Sequence, residues 1–247
     1  KQLALTDDGV LHGAVEFYER CIQNGIQPIL GCTFEVAWKS DASRKEMLVI
    51  YAKGAKGYES LLKLSTLYQQ GLTWTKEMTE WTATHSEDVK IVLPPTDSEW
   101  VAANSKGRLE AVLKAVKEEY AGVEIAIGIT REMVERGEFD TMREGIEAAG
   151  VVPVAFSVSR YLNTTDYFSW KVLQAIRLGE TLSFTQEDAT GSESLPEATS
   201  MTKMFQAAVG GVLLSNLEHF TKELVVEIPL RDTMLPKFPV PGGKTSA

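Results

Sequence analysis

The residues best equipped for chemistry lie close to the N-terminus, in Thr6-Asp7-Asp8-Gly9. They leave Gln2 to Thr6, an apolar run that reads as a buried strand, and Gly9 suits the turn. Two adjacent carboxylates at a strand end offer hard oxygen ligands of the kind a divalent cation takes. The alternative is that Asp7 caps the next helix and Asp8 sits in the turn. Two carboxylates make a weak site without further ligands, and the other strand ends supply few.

A second stretch, Gly31-Cys32-Thr33-Phe34-Glu35, brings a thiol. A cysteine nucleophile needs a neighbouring base and a lowered pKa. The three histidines, His12, His85 and His219, lie far apart, and none is placed to be that base. Cys32 therefore reads as a small core residue, and His12 as a surface or packing residue. Ser159-Arg160-Tyr161, after a strand ending at Val158, offers a cation but no metal ligand. No glycine-rich phosphate loop, Ser/His/Asp order or zinc spacing can be read.

The elements that position these groups alternate. Ala14, Phe17, Tyr18, Cys21 and Ile22 fall at helical spacing with Gly25 as the stop; Pro28 to Ala37 and Glu46 to Lys53 read as strands. A helix is predicted over Tyr58 to Gln70. Trp74 to His85 reads as a polar, Thr-rich connection. Strand Val89 to Leu93, helix Lys106 to Tyr120, strand Val123 to Ile129, helix Phe139 to Ala149 and strand Val151 to Val158 follow. Asp166 to Leu178 is a predicted helix packing through Phe168, Val172, Leu173 and Ile176, with Gly179 as its stop. Glu187 to Ser200 reads as a mobile loop, and Met201 to Phe220 as helix interrupted at Gly210-Gly211. Such alternation indicates an α/β fold. Residues 1–228 form the expected domain, and the proline-rich 229–247 reads as a strap toward another domain.

Composition narrows the function classes. The chain has 247 residues, 44% of them hydrophobic, with 25 Lys and Arg against 34 Asp and Glu, a formal charge of −9. An acidic balance argues against this chain being the main grip on DNA. No apolar run is long enough for a membrane helix. Two cysteines are too few for a disulfide framework, so a reducing, cytoplasmic setting is expected. The chain opens inside an apolar stretch without Met, and its true N-terminus is expected upstream.

Five stretches then carry a resemblance. Leu3 to Tyr18 and Gly25 to Cys32 resemble the start of bacterial DNA polymerase III alpha subunits, the polymerase and histidinol phosphatase (PHP) domain. Gly57 to Ser65, Val172 to Leu182 and Leu235 to Gly242 resemble later parts of that region in order, while Thr73 to Val152 matches loosely. The resemblance implies a distorted (β/α)7 barrel whose first strand lies upstream of Lys1. It also implies a domain within a DNA-directed DNA polymerase, a nucleotidyltransferase acting in DNA replication. The Mg²⁺ ions of that reaction would be bound outside this chain. The implied partners are the polymerase body of the same polypeptide and replisome subunits such as a proofreading exonuclease or clamp, with DNA reached through the parent protein and no membrane.

The departures from the family's metal motifs fall on six residues. Where the family has Thr-Asp-His, this chain has Thr6-Asp7-Asp8; a family Glu aligns with Thr33, with Glu35 two residues along on the same strand face. The last motif, Asp-x-His, aligns with Val158-Ser159-Arg160, and a first His-x-His would lie upstream. Arginine has no lone pair for a metal and stays protonated. The expectation is therefore a vestigial site without a metal, an ion pair from Arg160 to Asp7 or Asp8, and a structural or docking role. The alternatives are a residual metal-dependent phosphoesterase or proofreading 3′–5′ exonuclease, and a free-standing α/β enzyme unrelated to replication.

Overall fold

The computed structural model describes residues 1–38, 41–71, 73–96, 98–105, 107–182 and 193–230. Six strands, β1 (Gln2–Leu5), β2 (Gln27–Trp38), β3 (Asp41–Ala52), β4 (Val89–Leu93), β5 (Glu124–Ile129) and β6 (Val152–Ala155), form one curled sheet in sequence order among the described residues. β1 and β2 run parallel, β3 is antiparallel to both its neighbours, and β4, β5 and β6 are parallel. This is an α/β half-barrel, with its β/α repeat broken where β2 and β3 form a hairpin.

Strand periodicity explains the layers. Leu30, Cys32, Phe34 and Val36 alternate with residues of the opposite face, as do Leu48, Ile50 and Ala52 in β3 and Ile125, Ile127 and Ile129 in β5. These side chains meet the helices of one layer: α1 (Ala14–Gln23), α2 (Gly54–Gly71), α3 (Lys76–Thr84), α4 (Glu99–Asn104), α5 (Leu109–Glu119), α6 (Arg131–Glu135), α7 (Glu138–Ala149) and, after α8 (Tyr167–Leu178), α9 (Ala198–Val209). The other face, with Ile29, Val49, Tyr51, Val92, Ala126 and Val154, is covered by Phe220 and Leu224 from α10 (Val212–Thr221) and the turn after it. Both faces are apolar because both are covered. Beside Tyr51 and Phe220 a cavity of about 330 Å³ remains.

Helix stops follow the glycines. Gly25 adopts φ +66°, and Ile26 N donates to Cys21 O at 2.9 Å, closing α1 in a Schellman turn. Gly210 and Gly211, both at positive φ, separate α9 from α10. No helix among the described residues is long and apolar enough to cross a membrane.

Four expectations need correction. The supposed connection Trp74 to His85 contains helix α3, nucleated by Thr75, whose hydroxyl accepts from Met78 N. Trp74, Met78 and Thr82 are buried, so its polar sequence conceals a packed face. The last strand stops at Ala155, which leaves Val158 to Arg160 in the loop beyond it. Helix α8 forms as predicted but buries none of its residues: Phe168, Leu173 and Ile176 are 58%, 63% and 72% exposed. Finally, Ala198 to Ser200 already belong to α9, and residues 187–192 of the expected loop lie outside the described residues. Of the expected strap, only Pro229 and Leu230 are among the described residues.

Candidate functional site at the strand ends

The Thr6–Gly9 loop continues the sheet without being part of a strand. Thr33 N donates to Asp7 O at 3.0 Å and Gly9 N to Thr33 O at 2.8 Å, so Asp8 and Thr33 form a parallel bridge beyond β1. The Thr33 hydroxyl donates to Thr6 O at 2.8 Å. From α2, Ser65 Oγ and Gln69 Nε2 donate to Gly9 O at 2.8 and 3.2 Å. Gly9 has φ +68°, and a Cβ there would press on the Tyr68 ring at 2.9 Å. Only glycine satisfies both the left-handed turn and that close approach. The loop is thereby fixed, and the two carboxylates with it.

Asp7 does not cap α1; the residue at that cap is Gly13, which has no side chain to bond. Partial burial, and secondarily the charge of Asp8, raise the Asp7 carboxyl above its ordinary range, while His12 opposes them. Asp8 faces Arg160: Nη1 lies 3.3 Å from Oδ2, with the two side chains 35% and 51% exposed. An ion pair this open contributes about 0–1 kcal/mol. Arg160 is itself positioned by backbone, since its N donates to Glu193 O at 2.8 Å and Leu195 N donates to Tyr161 O at 2.9 Å. The expected ion pair from Arg160 to one of the two aspartates is thus present, to Asp8.

The remaining aligned residues do not converge on this pair. Glu35 shares the strand face of Thr33 but its Oε1 lies 2.6 Å from Lys45 Nζ, in an exposed pair across the hairpin. Val158 is half-buried and has no donor atom for a cation. Cys32 is fully buried and burial pushes its thiol up to about 12, the behaviour of an inert core residue. Among the described residues no group of three or more His, Cys, Asp or Glu could hold a metal ion together. The donor set is two carboxylates, one already facing a guanidinium. It does not fit the metal cluster that the family's motifs imply.

Two charged groups escaped the sequence reading. Glu46 is 2% exposed in β3, with Oε2 accepting from Glu99 N at 3.0 Å and Oε1 buried without a partner. Lys90, also 2% exposed, is held by Glu124 at 2.8 Å, Glu223 at 3.2 Å and Phe220 O at 3.0 Å. The available signal was a charge at the edge of or inside an apolar run, Glu46 before Met47-Leu48-Val49 and Lys90 within Val89 to Leu93. Lys90 is the second residue of β4 and Glu124 opens β5, so this cluster lies at the opposite end of the sheet from Asp8 and clasps the end of α10.

Comparison with known proteins agrees with this architecture. The family model for the PHP domain matches residues 1–148. The DNA polymerase III alpha subunit of Halalkalibacterium halodurans is 30% identical over 252 residues, covering 99% of this chain and 22% of the relative. That of Bacillus subtilis is 26% identical over 260 residues, again 99% of this chain and 22% of the relative. That of Chlamydia trachomatis is 45% identical over 78 residues, covering 28% of this chain and 6% of the relative. The chain thus spans about a fifth of the length of the first two relatives. With a half-barrel sheet and a family match over more than half its length, the chain belongs to the PHP domain family.

Proposed function

We propose that this chain is the PHP region of a bacterial DNA polymerase III alpha subunit, serving DNA replication as a structural and docking module with no metal of its own. The reading of its place in a polymerase is supported by relatives of that name that match it along 99% of its length. The observation that carries the metal-free role is Arg160 Nη1 at 3.3 Å from Asp8 Oδ2. A fixed cation there opposes a second cation electrostatically and uses the carboxylate a metal would need. Nucleotidyl transfer, with its Mg²⁺ ions, belongs to the polymerase body outside this chain. Within the subunit this region braces that body and offers surface to replisome subunits such as the proofreading exonuclease or clamp.

Metal content tests this. The complete subunit, purified without chelator, is expected to carry less than about a tenth of an equivalent of Zn, Mn or Fe by elemental analysis. One equivalent or more, lost on Asp7→Asn or Asp8→Asn, would overturn the metal-free role. It would bring forward a metal-dependent phosphoesterase or proofreading activity.

A further inference from the structure

We infer that the exposed apolar stripe of α8 is the surface by which this domain seats against the polymerase body of the same polypeptide, an assignment that rests on the reading proposed above. The stripe is written in the sequence at helical spacing: Val172, Leu173 and Ile176 lie on one side of the helix. A pattern of that kind belongs to a helix that covers it. Among the described residues, it is the other side of α8 that the domain holds. Tyr167 and Trp170, on the opposite side, pack with Tyr161 at ring separations of 6.0–6.1 Å and hold α8 to the loop beyond β6. Leu173 and Ile176 are left 63% and 72% exposed, and Leu162 is 68% exposed beside the same loop. Contiguous apolar surface of this sort on a folded domain marks an interaction site.

The occupant follows from length. The two relatives matched over 99% of this chain use only 22% of their own length to do so. The rest of such a polypeptide is tethered to this domain, and tethering makes docking intramolecular and favours it over any separate partner at equal contact quality. The patch also sits by the loop that carries Arg160, whose backbone is held by Glu193. Docking on α8 would therefore brace the segment that keeps Arg160 at Asp8.

The test uses the complete subunit. Carbene footprinting compares Ile176 in the native protein and in urea. At 72% exposure an uncovered Ile176 would show less than about twofold protection, whereas a seated one is expected to show about tenfold or more. In parallel, Ile176→benzoylphenylalanine is photolysed and the cross-linked peptides are sequenced. A protected Ile176 and a cross-link into the same polypeptide beyond residue 247 support the assignment. An unprotected Ile176, or a cross-link only to a second copy or to a separate subunit, overturns it. Primer extension by the same preparation separates the two levels of failure. Extension with an open Ile176 sinks the docking surface and leaves the polymerase reading standing. A product without primer extension and without further domains by intact mass sinks the polymerase reading and, with it, this one.

Discussion

At the scale of single residues, the domain's charged groups divide by how much water they keep. Asp8 and Arg160 stay half in solvent and contribute little to stability, so their importance lies in occupying a position. Glu46 is the opposite case. Burial outweighs the hydrogen bonds from Ser98 and the backbone of Glu99 and pushes its carboxyl up from 4.5 to about 7. Below pH 4.5 both folded and unfolded chains hold the proton, and Glu46 adds no pH dependence. Between 4.5 and about 7 the unfolded chain releases it first, so the folded state loses stability as pH rises, up to about 3 kcal/mol above that window. Glu46→Gln keeps an acceptor for Glu99 N and removes the ionisation. Urea midpoints measured from pH 5 to 8 are expected to fall more steeply in the natural protein, with the glutamine variant gaining at pH 8. Parallel curves would show that the carboxyl ionises without penalty.

Among the elements, α3 shows how a helix can hide in a polar sequence. Lys76–Thr84 has three threonines and two glutamates, none of them a strong apolar marker. Its signals are the cap and the packing residues: Thr75 accepts from Met78 N, Trp74 Nε1 donates to Thr79 Oγ1 at 2.9 Å, and Met78 and Thr82 are buried. Thr75→Ala is expected to cost about 1 kcal/mol by thermal or urea unfolding, the loss typical of an N-cap. No change would mean that tertiary contacts alone hold the helix. The β2–β3 hairpin was more legible, because Leu48, Ile50 and Ala52 alternate with Val49 and Tyr51 as a two-faced strand requires.

For the molecule as a whole, α10 closes the second face of the sheet. Phe220 meets the Tyr51 ring edge-on at a centroid distance of 6.4 Å, and its backbone oxygen accepts from Lys90. Removing its ring would enlarge the cavity of about 330 Å³ already beside it. Phe220→Ala is expected to destabilise the chain by about 3–5 kcal/mol in urea unfolding, the range for losing a buried aromatic side chain. A loss below about 1 kcal/mol would show that α10 is a detachable cover rather than part of the cooperative unit. The two edges, β1 and β6, each pair on one side only among the described residues, which makes this a half-barrel.

The sequence by itself determined the order and type of most elements, since hydrophobic period and glycine stops are local properties: Gly25, Gly179 and the Gly210-Gly211 pair all stand at positive φ where helices end. It also determined which motif positions could not ligate a metal, because valine and arginine lack the donors in any fold. What tertiary structure alone decided is proximity and cover. Arg160 lies 152 positions from Asp8 in sequence yet meets it, while Glu35, only 27 from Asp8, turns to Lys45. Periodicity identified the apolar stripe of α8 but not what lies against it. Whether such a stripe is core or surface depends on neighbours brought in from elsewhere in the chain, and those contacts are non-local.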